Sequence, residues 1–193
     1  MTRNLSALFM MACMASAPAA VIQFDLLGKG GGGLLATNEN GTVLGTPGTG
    51  GEILGGIFLD DVSGVLTLNI AWSGLQGATN GSVGAATGFH LHGPTTTADP
   101  FLGNAGVVVN ISGGAGSFVN VNNASGSGQV VGTVTLTPTQ VTDVKASKWY
   151  FNVHSTLNGG GEIRGNLVPV PEPGALAIAG LGLALAARRR RTA

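Results

Sequence analysis

The chain has 193 residues, with nine Lys plus Arg against nine Asp plus Glu, 34 glycines and a single cysteine. Arg3, Arg188, Arg189, Arg190 and Arg191 lie near the two ends, so residues 20–173 keep only Lys29, Lys145, Lys148 and Arg164 against all nine acids, a net of −5. That acidic body lacks the clustered cations that nucleic acid or anionic lipid requires. With the one cysteine at Cys13, it also has no disulfide, no thiolate nucleophile and no cysteine metal ligand.

Residues 1–19 read as a secretory signal peptide: Arg3 is a small basic region, residues 5–15 are apolar, and Ala17-Pro18-Ala19 supplies the small residues that signal peptidase needs. Cleavage is expected after Ala19 or Ala20. The body that follows, residues 20–167, is expected to be one domain, long enough for a core of its own. Its glycines show no G-X-Y period and instead punctuate apolar runs, the pattern of a β domain with many tight turns.

Strands are predicted at 22–27, 52–59, 65–72, 88–92, 107–111, 129–136, 149–154 and 162–167. The clearest is 65–72, where Leu66, Leu68, Ile70 and Trp72 share one face and Thr67 and Asn69 the other. Residues 28–51 read as a loop. Gly30 to Gly33 are not a phosphate loop, because no Gly-Lys-Ser/Thr follows. One short helix is expected after Thr137, with Pro138 at its first position and Gln140 completing a capping box, ending near Ser147. The whole reads as an all-β antiparallel β-sandwich or Greek-key barrel with one short helix.

The only histidines are His90, His92 and His154. On a strand, His90 and His92 leave one face while Phe89 and Leu91 enter the core. On the second strand, Tyr150, Asn152 and His154 share a face opposite Trp149, Phe151 and Val153. If the strands are neighbours, three imidazoles converge, a set that suits copper or zinc. The sequence leans toward the plainer alternative, histidines that bond loop backbone and hold the Gly93-Pro94 turn, because only Asp99 lies near the first pair as a further acidic ligand. Glu162 and Arg164 share a strand face; they are expected either to flank the same site or, preferably, to form a structural ion pair. No Ser-His-Asp triad and no carboxylate pair is evident, so an enzyme is not expected and no cofactor is required beyond the copper or zinc of the alternative reading.

The tail, 168–193, has three unlike parts. Pro171-Glu172-Pro173 breaks regular structure. Residues 174–187 are an apolar helix slightly short of a comfortable span. Arg188, Arg189, Arg190 and Arg191 stop transfer on the cytoplasmic side. This order resembles the PEP-CTERM sorting signal of Gram-negative bacteria. The resemblance implies export through the inner membrane, transient anchoring through the tail, processing by an exosortase-type membrane protease, and a final place at the cell surface or outside the cell.

The body has its own resemblance. Trp72-Ser-Gly-Leu, Gly88-Phe-His-Leu-His-Gly-Pro, Gly103-Asn-Ala-Gly-Val-Val, Trp149-Tyr-Phe-Asn-Val-His and Gly160-Gly-Glu-Ile-Arg-Gly resemble the CHRD domain, over almost all of residues 21–167. This implies an exported β domain acting by binding or structure, with an extracellular polysaccharide as one partner class. Gly88-Phe-His-Leu-His is also similar to the first copper-ligand strand of copper/zinc superoxide dismutases, with His154 and Arg164 in the order of a later copper ligand and the active-site arginine. The bridging histidine, zinc ligands and disulfide of that family are missing. These likenesses make the expected fold superoxide-dismutase-like or immunoglobulin-like.

Overall fold

The computed structural model describes residues 20–79 and 81–171. The expected signal peptide, Glu172, Pro173, the apolar segment 174–187 and the four arginines lie outside these residues. Among the described residues no helix is long and apolar enough to cross a membrane.

The strands are β1 (Val21–Gly28), β2 (Gly31–Gly32), β3 (Thr49–Glu52), β4 (Ile57–Asp60), β5 (Val65–Ser73), β6 (Gly88–His92), β7 (Val107–Val109), β8 (Ser117–Asn122), β9 (Gly128–Thr135), β10 (Tyr150–His154) and β11 (Ile163–Pro169), with helix α1 (Pro138–Lys145). All pairings are antiparallel, in the order β7-β6-β10-β11-β1-β4-β5-β9-β8, with β2 beside β1 and β3 beside β5. The sheet curls so that distant strands face each other: Trp72 of β5 lies 5.1 Å from Phe89 of β6 and 6.4 Å from Phe151 of β10, ring centre to ring centre. One apolar core fills the interior, including Leu66, Leu68 and Ile70, the face that period-two alternation selects.

The predicted strand 52–59 is two strands. Leu54, Gly55 and Gly56 all take positive φ, which turns the chain between β3 and β4. The predicted loop 28–51 contains β2, the start of β3 and a 3-10 turn at Ala36–Asn38. Asn38 ties it down: its side chain accepts from Gly30 N and donates to the carbonyls of Gly31, Gly33 and Arg164. β8 has no clean alternation because its Val and Asn side chains lie on a largely exposed edge strand. α1 carries its capping box, Gln140 N to Thr137 Oγ1 at 3.4 Å and Thr137 N to Gln140 Oε1 at 2.8 Å, and buries Val141 and Val144.

One departure from a simple half-buried sheet positions the site. On β10 and β11 the residues of both faces are buried. Phe151, Val153, Ile163 and Leu167 enter the core, while Tyr150, Asn152, Arg164 and Asn166 form a polar layer on the other face. Loop residues of the 36–44 and 100–105 segments supply hydrogen-bond partners for that layer, which buried polar groups require.

Candidate metal centre

β6 and β10 are hydrogen-bonded neighbours, with Asn152 opposite His90, Tyr150 opposite His92 and Gly88 opposite His154. The three histidines therefore leave the same face of adjacent strands. Their ring centres lie 5.0 Å (His90–His154), 5.6 Å (His90–His92) and 6.0 Å (His92–His154) apart. Gly88 keeps the space open, since a Cβ there would stand 2.8 Å from His90 Cε1.

The hydrogen bonds fix each tautomer. His92 Nδ1 lies 3.0 Å from the Ala105 carbonyl and His154 Nδ1 lies 3.0 Å from the Gly159 carbonyl. A carbonyl has no proton to give, so each Nδ1 carries the hydrogen and each Nε2 is a bare lone pair. Ser112 Oγ donates its single proton to Asn110 Oδ1 at 3.2 Å, so His90 Nε2–H, 3.3 Å away, must donate to that hydroxyl oxygen. Its Nδ1 is then the bare nitrogen. These three nitrogens, His90 Nδ1, His92 Nε2 and His154 Nε2, are buried and have no protein partner. One ring nitrogen from each histidine lies within 4.8 Å of the others. Three nitrogens around a tetrahedral ion would stand about 3.4 Å apart, so small side-chain rotations would close the set.

Burial favours the neutral form of His90 and His92. Burial, then the neighbouring His154 and His92, push His90 from its ordinary 6.5 to about 4. Burial also pushes His92 down, aided by His154 and Arg164 and opposed by its bond to Ala105.

A stack supports the centre from one side. The His92 ring lies 4.8 Å from Tyr150, at 4° between planes, and Arg164 Cζ sits 3.5 Å from the Tyr150 ring centre. Tyr150 Oη donates at 3.2 Å to the same Ala105 carbonyl that orients His92. Beside this stack is a pocket of about 380 Å³ lined by Glu39, His92, Tyr150, Asn152 and Gly159 to Gly161, among others. Glu39 is buried there and accepts from Asn152 Nδ2 at 2.7 Å. Burial raises its carboxyl from 4.5 to about 7, against the pull of Arg164, Lys29 and the Asn152 bond. Gly161 has φ +128°, and a Cβ there would meet Asn152 Nδ2 at 2.5 Å and Glu39 Oε1 at 2.8 Å.

Two sequence expectations are corrected. Glu162 and Arg164 form no ion pair; among the described residues the ion pairs are Lys145–Asp61 and Lys148–Asp143. Both are fully buried, but they serve different networks. Glu162 accepts from Gly48 N, Gln76 N and Asn158 Nδ2 and so pins three loops. Arg164 flanks the histidines through Tyr150. The histidines also do not hold the Gly93-Pro94 turn. Gly93 N donates to Gly106 O and Thr95 N to Lys148 O, while the rings bond Ala105, Ser112 and Gly159. Asp99 caps the 3-10 turn at Pro100–Leu102 by accepting from Phe101 N. Glu39, Ser112 and Asn152 are the site residues that sequence reasoning missed. Asn152 was legible by period as a neighbour of His154, but Glu39 lies in irregular chain without a local signal.

Opposed titrations predict an unusual pH profile for metal-free protein. His90, lowered in the folded state, contributes stability that is complete above pH 6.5 and lost as pH falls toward about 4. His92, lowered as well, acts with the same sign. Glu39, raised, contributes stability that is complete below 4.5 and lost as pH rises through about 7. Between pH 4.5 and 6.5 the slopes oppose each other. Urea midpoints of chelator-treated protein should vary weakly in this range. Glu39→Gln should unmask a loss of stability toward acid, and His90→Gln a loss toward neutrality. Parallel profiles for both variants would rule out the coupling.

A family model for the CHRD domain matches residues 35–167, and one for the PEP-CTERM protein-sorting motif matches residues 169–191. No curated protein and no solved structure matches the chain.

Proposed function

This chain belongs to the CHRD-domain family and carries a PEP-CTERM sorting tail, and from that premise we propose that its exported domain binds a transition-metal ion, copper or zinc, through His90, His92 and His154. The tail makes it an exosortase-sorted protein of the cell surface or extracellular space. What the domain does there is the proposal.

The observation that carries it is a set of three buried ring nitrogens without a protein partner, on three histidines that each offer a ring nitrogen within 4.8 Å of the others. The loop-bonding role expected of structural histidines uses only one nitrogen of each ring. The other three are acceptors without a donor in the protein, and leaving a buried polar group unpaired costs about 1–3 kcal/mol each. A cation shared by the three removes that penalty. The bonds from the opposite ring nitrogens to Ala105, Gly159 and Ser112 are of the kind that fixes the tautomer of a metal-ligating histidine. The body has no thiolate to favour other chemistry, and imidazole suits copper and zinc.

The test is metal uptake. Exported protein, stripped with chelator and dialysed against copper(II) or zinc(II) and then against metal-free buffer, should retain one ion per chain. Protein that emerges metal-free from both dialyses overturns the reading.

A further inference from the structure

The three histidine nitrogens share their strand face with a fourth buried atom that has no partner, Asn152 Oδ1. Asn152 is 3 % exposed, lies opposite His90 in the β6–β10 register, and precedes His154 by two residues on the same face. Its Nδ2 donates to Glu39 at 2.7 Å, which sets the amide orientation and leaves Oδ1 as the free end. An amide oxygen accepts and cannot donate. The neighbouring histidine nitrogens are lone pairs, so none of them can supply it with a hydrogen.

Resting on the metal reading above, we infer that the ion on His90, His92 and His154 keeps one coordination position for a small protic oxygen ligand, such as water, hydroxide or hydroperoxide, whose proton Asn152 Oδ1 accepts. Asn152 is a positioning residue in this arrangement, and Glu39 orients it. Three protein ligands with one open position is the form that metal sites take when they exchange ligands, whereas a closed four-ligand set is structural. The pocket of about 380 Å³ is lined by both His92 and Asn152, which brings solvent-sized molecules to this side of the centre. The arrangement selects against ligands without a hydrogen. Azide or chloride at that position would leave Oδ1 unpaired.

The test uses the copper(II)-loaded full chain. Water-proton relaxation should show one rapidly exchanging water bound directly to copper in the wild type. Azide, followed by its charge-transfer absorption, should bind the Asn152→Leu variant about tenfold more tightly than the wild type, the effect expected when one hydrogen bond favouring water over azide is lost. Copper retained with no exchangeable water, or azide affinity unchanged by Asn152→Leu, overturns this inference and leaves the metal reading intact. A chain that takes up no copper overturns this inference, and one that takes up neither copper nor zinc overturns both.

Discussion

Replacing Arg164 with methionine should lower the unfolding free energy by about 3–5 kcal/mol, since hydrogen bonds from a charged donor contribute about 1.5–3 kcal/mol each and several are lost together. The guanidinium is fully buried. Its Nη2 donates to the Gly103 carbonyl at 2.8 Å and to Asn166 Oδ1 at 3.2 Å, its Nη1 to Asn104 Oδ1 at 3.1 Å, and its Nε to Asn166 Oδ1 at 3.3 Å. Methionine fills much of the volume but leaves Asn166 Oδ1 without a donor and the Gly103 carbonyl and Asn104 Oδ1 with only the Asn40 amide, and it removes the cation stacked on Tyr150. Glu39 also loses the positive charge that opposes its protonation. Urea unfolding of chelator-treated protein measures the loss. Arg164→Lys should fall between wild type and methionine, since an ammonium restores charge but not the planar fork that reaches several acceptors at once. A methionine variant as stable as wild type would show that loop 100–105 is held by other contacts.

How much of this was legible in the sequence follows from the range of each interaction. Alternation along 65–72 and the capping box at Thr137 are local patterns, and the structure contains both. The pairing of β6 with β10 is not local, but two strands carrying aromatic and aliphatic residues inward and histidines outward are complementary, and their register brings all three histidines to one face. The polar layer over β10 and β11 was not legible. Arg164 and Glu162 look like an ion pair when only their spacing is known. Apart from Asn166, which shares the face of Arg164, their partners come from positions 48, 76, 103, 104 and 158, and no periodicity relates those positions to the strand. Glu39 was hidden for the same reason: its place is set by Asn38 bonding to Gly31, Gly33 and Arg164, which is chain-specific geometry inside a glycine-rich segment.

Replacing His154 with alanine should lower copper or zinc affinity by about a hundredfold or more, because weakening the outer shell of a ligand already costs about 10–100-fold and this change removes the ligand itself. The same substitution should leave the stability of metal-free protein nearly unchanged. It deletes one hydrogen bond, Nδ1 to the Gly159 carbonyl, on a partly exposed residue, and it also deletes one buried, unpartnered Nε2. The two effects have opposite sign and similar size, about 1 kcal/mol each. Metal titration together with urea unfolding of apo and loaded protein reads both numbers. A histidine that only held the Gly159 loop would give the reverse pair: a destabilised apo protein and an unchanged metal affinity. The two readings of the cluster therefore predict opposite outcomes in both measurements, because one depends on the nitrogen that bonds the loop and the other on the nitrogen that bonds nothing in the protein.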